Sequence, residues 1–271
     1  MRESIVRHTA CRPVPQSMSD IRKLWDEPLC RALRRRIGRA LGRYRMITEG
    51  DRIVVGLSGG KDSLLLLHAL SDLRRRSPVR FDLAACTVAL TGMDVSLLRE
   101  YCTARNVPYT ALEHPIMEII ESRAERSPCS FCANIRRGLL STWAHDNGFN
   151  RLALGHSLDD AVETFFLNLL RAGRARSFHP TAHMTRSNVT VIRPLIASPE
   201  AAIIDEVKRL GLPVLETVCP FAGGTERQRV KDLLEALRRD VPDLVANVVN
   251  ALENLSDADR WTAVDMQESA D

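Results

Sequence analysis

Six consecutive residues, Ser58-Gly59-Gly60-Lys61-Asp62-Ser63, set two glycines, a cation, a carboxylate and two hydroxyls between the apolar run "RIVVGL" and the leucines of "LLLLHAL". A strand that leaves through such a turn into a helix presents unpaired backbone N–H groups, and the helix dipole adds about half a positive charge there. The expected ligand is a phosphate. Gly59 and Gly60 keep Cβ atoms out of its path, Ser58 and Ser63 offer hydroxyls, and Lys61 offers a cation. A Walker A loop is excluded, because G-x-x-x-x-G-K-[ST] needs a glycine where Val55 stands and a Ser or Thr where Asp62 stands.

A second concentration of chemistry is "SPCSFCANIRRGLL" (127–140), which carries the C-x-x-C of Cys129 and Cys132. Cys219 precedes a glycine pair further on, while Cys11, Cys30, Cys86 and Cys102 are scattered. Taken alone, the pair admits a redox disulfide, a zinc site, two buried thiols or an iron–sulfur cluster. A thioredoxin-like pair would follow a strand, which "EIIESRAERSP" does not supply. Structural zinc takes four ligands, and clusters also commonly take four. Thiolates at a helix start are stabilised as anions. Arg136 lies one turn beyond Cys132 and can face the same cavity, where it could hold a phosphate.

The third is "GHSLDDAVET". Gly155 ends a strand, and His156 enters the crevice beside the phosphate loop. Ser157 with Asp160 fits a capping box, so one aspartate has a structural use. Asp159 and Asp160 are adjacent carboxylates at the mouth of that helix.

These groups need rigid elements to hold them. Residues 52–57, 81–90, 107–112, 151–155 and 189–195 read as strands. They alternate with helices after Asp62 to about 76, and over 94–105, about 133–147, 157–170 and about 199–210. Such alternation predicts an α/β fold with a doubly wound, mostly parallel sheet, carrying N- and C-terminal helical additions. Leu33, Ile37, Leu41 and Tyr44 recur at helical spacing, with arginines filling the rest of that helix. The expected organisation is a flexible arm (1–27), a nucleotide-binding domain with the basic helix and the C-x-x-C insertion (28–222), a helical segment (223–257) and a disordered tail (258–271).

Bulk composition sets the limits. The chain has 271 residues, 45% hydrophobic content and a net charge of +4, as an ordinary globular protein would. No apolar stretch approaches the ~20 residues that cross a bilayer, and the start lacks a secretory h-region. A cytoplasmic protein with no membrane contact is expected. Lysine occurs only at Lys23, Lys61, Lys208 and Lys231, so the other basic residues are arginines, whose planar fork suits phosphate. Seven cysteines in a reducing compartment argue against a disulfide framework.

Ser58–Ser63 resembles the SGGKDS signature of the PP-loop ATP pyrophosphatases, which cleave ATP between its α and β phosphates. "CSFCANIRRGLL", "LALGHSLDDAVETFFLNLL" and "CPFAGGTERQRVKDLL" are similar to three segments of one branch, the tRNA 2-thiocytidine synthetases, and the likeness runs over about residues 31–255. The resemblance implies ATP, Mg²⁺ and an oxygen-sensitive 4Fe–4S cluster on Cys129, Cys132 and Cys219, whose free iron carries the sulfide that displaces AMP. It implies nucleotide contacts from Ser58, Gly59, Gly60, Lys61, Asp62, Ser63, Gly155, His156 and Asp159, with Lys61, Asp62, Asp160 and Arg136 in the chemistry. The implied reaction exchanges the C2 oxygen of a cytidine in the tRNA anticodon loop, the family's cytidine 32, for sulfur. Implied partners are that tRNA and a sulfur donor such as a cysteine desulfurase, with a homodimer as one arrangement. Arg34, Arg35, Arg39, Arg171, Arg174 and Arg176 are candidates for the RNA backbone.

Two departures stand out. The family's late cysteine pair is reduced to Cys219, with Glu216 where the first would be, and Ser157-Leu158 replaces a His-Arg pair of close relatives. A cluster-free lysidine-synthetase-like ligase, or a zinc-stabilised non-catalytic nucleotide- or RNA-binding module, are the alternatives.

Overall fold

The computed structural model describes residues 18–125, 127–215 and 226–254. In chain order its elements begin α1 (Met18–Trp25), α2 (Arg31–Arg43), β1 (Asp51–Gly56), α3 (Lys61–Arg74), β2 (Phe81–Ala89), α4 (Ser96–Ala104), β3 (Tyr109–Glu113) and α5 (Ile116–Ser122). They continue α6 (Pro128–Asp146), β4 (Arg151–Ala153), α7 (Leu158–Ala172), β5 (Thr181–Met184), β6 (Val189–Ile192), α8 (Glu200–Arg209), α9 (Glu226–Asp240) and α10 (Leu244–Asn254).

The strands form one sheet in the order β3-β2-β1-β4-β6-β5, parallel throughout except for β5 against β6. Both faces are covered, which is why β1 reads as a continuous apolar run instead of alternating. Ile53 and Val55 point into a core shared with Leu64 and Leu67 of α3 and Ile203 of α8. Val54 points the other way, onto Ile120 of α5 and Leu140 and Ala144 of α6. All three are fully buried, each contributing about 1.5–3 kcal/mol of apolar burial. A smaller core joins Val162 of α7 to Val230 and Leu234 of α9 and Val248 of α10.

From β1 the chain winds outward to β2 and β3, then returns to place β4 on the other side of β1. The winding reverses between β1 and β4, so their carboxyl ends part and leave a crevice. The phosphate loop follows β1 and the Gly155-His156 turn follows β4, so both open into it.

Several expectations are corrected. The arm was expected to run loose to residue 27, but 18–25 form α1. Trp25 is buried, donates Nε1–H to the Gly211 carbonyl at 3.0 Å and meets Tyr101 edge-on. α6 starts at Pro128 instead of about 133, with proline at its first position, so both cysteines of the C-x-x-C lie inside its first turns. The stretch 171–188, for which the sequence predicts no element, holds the end of α7, stopped by Gly173 at φ 59°, and the hairpin strand β5.

Within α3, His68 is fully buried. Its Nε2 lies 2.9 Å from the Glu27 carbonyl, which can only accept, so Nε2 carries the proton and Nδ1 accepts from Tyr101 Oη at 2.8 Å. Burial first, and then Arg105, push its pKa down to about 3. The unfolded chain takes up this proton below about pH 6.5 and the folded chain does not. Stability from this group is therefore complete above about 6.5 and falls with pH, by up to about 1.4 kcal/mol per unit. Urea unfolding between about pH 7 and about pH 5 should show that slope, and a His68→Gln variant should lack this part of it.

Candidate active site

The loop 57–60 is closed on itself by hydroxyls. Ser63 Oγ donates to the Gly60 carbonyl at 2.9 Å and accepts from Ser58 N–H at 3.1 Å, while Ser58 Oγ lies 3.1 Å from Ser63 Oγ. Gly59 takes φ 84°, and its carbonyl accepts from Leu215 N–H at 3.0 Å. Gly60 caps α3 with no side-chain bond, so the first N–H groups of a fourteen-residue helix are open to a ligand. They border a cavity of about 320 Å³.

That cavity brings together Ser58, Gly60, Asp62 and Ser63 with Gly155, His156 and Asp160, and with Arg136 of α6. Gly155 allows the close approach: a Cβ there would lie 2.9 Å from the Asp62 carbonyl carbon and 3.0 Å from Ser63 N. Arg193 Nε donates to His156 Nδ1 at 3.2 Å. That fixes the proton on Nε2, and burial, then Arg193, hold the pKa down at about 4. The imidazole is thus a neutral donor at the cavity wall.

Arg136 supplies a pointer to a ligand: its Nε is buried and has no hydrogen-bond partner among the described residues. One turn back, Cys132 is half-buried against the core that holds Ile120, Leu140 and Ala144, while Cys129 is exposed; neither is in a disulfide. Neither cysteine lines the cavity. Cys219 lies outside the described residues, so the expected convergence of three thiols falls there as well.

The structure separates the two aspartates. Asp160 completes the capping box, its Oδ2 accepting from Ser157 N–H at 2.8 Å, and still lines the cavity. Asp159 turns away from the nucleotide side expected for it. Its Oδ2 accepts from Glu200 N–H at 2.6 Å and its Oδ1 from Arg238 at 2.7 Å, so it caps α8 and anchors α9. Lys61 is also turned aside, onto Asp62 and onto Glu200 Oε1 at 2.8 Å. Burial alone would lower its pKa, but the bonds to Asp62 and Glu200 outweigh it and the net shift is upward. Asp62 is raised, first by burial and further by Asp160 and Glu200, against the pull of Lys61. Asp160 also takes Arg227, from its Oδ1 at 3.1 Å, so the carboxylates at this end of the sheet are held by cations from several elements.

Glu200, Glu163 and Arg193 escaped the sequence reading. Buried Glu163 takes Arg227 at 2.8 Å and Lys231 at 3.4 Å, and Lys231 reaches Glu200 at 3.4 Å. These pairs tie α9 to the phosphate loop. The available signal was positional: Pro199-Glu200 opens the helix after the strand adjoining β4, at the same sheet end.

Residues 31–217 match the PP-loop domain family. A tRNA-cytidine(32) 2-sulfurtransferase of Pelobacter propionicus is 38% identical over 252 residues, 91% of this chain and 93% of its own. One of Geobacter metallireducens is 39% identical over 238 residues, 85% and 92% of the two chains. Among solved structures, the U34-tRNA thiolase NcsA from Methanococcus maripaludis with its [4Fe-4S] cluster superposes with TM-score 0.68 at 25% identity, covering 83% of this chain and 77% of that one.

Proposed function

Because the chain belongs to the tRNA-cytidine(32) 2-sulfurtransferase family of PP-loop proteins, we propose that it uses ATP to activate cytidine 32 of a tRNA and exchanges the base's C2 oxygen for sulfur. One observation carries the reading. The first turns of α6 carry Cys129 and Cys132 and, one turn later, Arg136, which lines the phosphate-loop cavity and whose buried Nε has no hydrogen-bond partner among the described residues. A single helix thereby joins the thiols to the nucleotide site.

In the first step the C2 oxygen attacks the α-phosphorus; an O–P bond forms and pyrophosphate leaves. The open N–H groups at the start of α3 take the leaving group's charge, and Lys61 exchanges Glu200 for it. Arg136 faces the phosphoryl being transferred, and His156 Nε2–H donates to the adenylate or the base. Asp62 and Asp160, both at the cavity and now paired with Lys61 and Arg227, would be the carboxylates to hold a Mg²⁺, which would neutralise charge on the leaving pyrophosphate. In the second step sulfur bonds to C2 and AMP departs with the original oxygen. Cys129, Cys132 and Cys219 would hold a 4Fe–4S cluster, which would carry to the base a sulfide taken from a sulfur donor. Thiols three apart in a helix's first turns share a face and gain anion stabilisation from the dipole, so the two described ligands fit.

The test is nucleoside mass spectrometry of tRNA from a strain lacking the gene. 2-Thiocytidine should vanish and return with the wild-type chain; an unchanged nucleoside profile would sink the assignment. The purified protein should release AMP and pyrophosphate only when tRNA is present.

A further inference from the structure

Arg36, Arg39 and Arg43 of α2 form one wall of an open groove of about 1450 Å³, whose other walls are residues 175–181 and α10. Resting on the tRNA reading above, we propose that this groove holds the sugar–phosphate backbone of the RNA while the target nucleotide reaches the cavity.

Charge is the first argument. Arg36, Arg39 and Arg176 are exposed at the groove and have no ion pair among the described residues. Of the two acids in its wall, Glu253 is already taken, by Arg43 at 2.9 Å and Tyr44 at 2.7 Å, which leaves Asp243. Exposed guanidinium groups without carboxylate partners suit phosphate oxygens.

Position is the second. The groove and the nucleotide cavity share a wall, since Phe178 in the groove meets His156 in the cavity with ring centroids 4.8 Å apart. The first turn of α7 is shared as well: Leu158 and Ala161 face the groove, and Asp160 faces the cavity. Only these two rings separate a strand lying in the groove from the cavity, and an unstacked loop base can be turned past them. Of the six arginines expected to meet RNA, the groove takes Arg39 and Arg176; Arg171 instead pairs with Glu226.

The test is the triple variant Arg36→Glu, Arg39→Glu, Arg176→Glu in the full chain. Binding of unmodified tRNA is measured by fluorescence anisotropy across a salt series, beside ATP binding and melting temperature. Arg43 is left alone because it holds α10. We expect tRNA affinity to fall roughly tenfold or more, with the slope of log K against log salt shallower by about 2. ATP affinity and melting temperature should stay at wild-type values. Wild-type tRNA affinity and slope in the variant would overturn the groove while leaving the thiolation reading intact. A drop in melting temperature with unchanged tRNA binding would also overturn it, assigning the arginines to the chain's own segments. Failure of the wild-type protein to bind or thiolate tRNA at all would remove the reading itself.

Discussion

Gly155→Ala should weaken ATP binding by roughly tenfold or more and cost about 1–3 kcal/mol of stability, the usual range for forced overpacking. The added methyl would sit 2.9 Å from the Asp62 carbonyl carbon, 3.0 Å from its oxygen and 3.0 Å from Ser63 N. All three are backbone atoms in the first turn of α3, and none can swing aside as a side chain would. The turn after β4 and the start of α3 must separate, and these are two walls of the nucleotide cavity. Gly173→Ala is the matched control. It carries a positive φ of 59° but has nothing within 4 Å of its Cβ position. It should show only left-handed backbone strain, of order 1–3 kcal/mol, with ATP affinity unchanged. Urea unfolding and titration calorimetry read both quantities; wild-type ATP affinity in Gly155→Ala would refute the close-contact argument.

That contact shows what could be read from sequence and what could not. The phosphate loop was legible because its chemistry is local: six adjacent residues make a turn, a helix start and a set of donors without help from elsewhere. The alternation of strands and helices was legible for the same reason, and it yields the parallel sheet and its crevice. The capping box of Ser157 and Asp160 also spans only one helical turn. The partners of Lys61 and Asp159 were not legible, because both meet at Glu200, some forty residues beyond Asp159 and over a hundred beyond Lys61, and only the sheet order brings them together. α1 was missed although Met18, Ile21, Leu24 and Trp25 keep helical spacing, because eight residues make little more than two turns and show the period barely twice. β5 was missed because a four-residue edge strand, paired on one side only, shows no alternation of burial.

Cys129→Ala and Cys132→Ala should each abolish thiolation, by a thousandfold or more if sulfur delivery fails outright, a loss on the order of 4 kcal/mol in transition-state terms. Iron content in anaerobic preparations should fall in both, while ATP affinity holds, since neither thiol lines the nucleotide cavity. Their stabilities should differ. Cys129 is exposed and its loss leaves packing untouched, whereas Cys132 is half-buried against the core of Ile120, Leu140 and Ala144, so its truncation removes some apolar contact. This difference separates ligand from scaffold. A structural thiol would lower activity in proportion to stability, affecting Cys132→Ala alone. Two ligands of one cluster would lose iron and activity together, although only one variant is destabilised. Cys219→Ala extends the test to the third thiol: it should match Cys129→Ala in iron content and activity. Retained iron and activity there would leave the cluster with two protein thiols, and the assignment of Cys219 would fall.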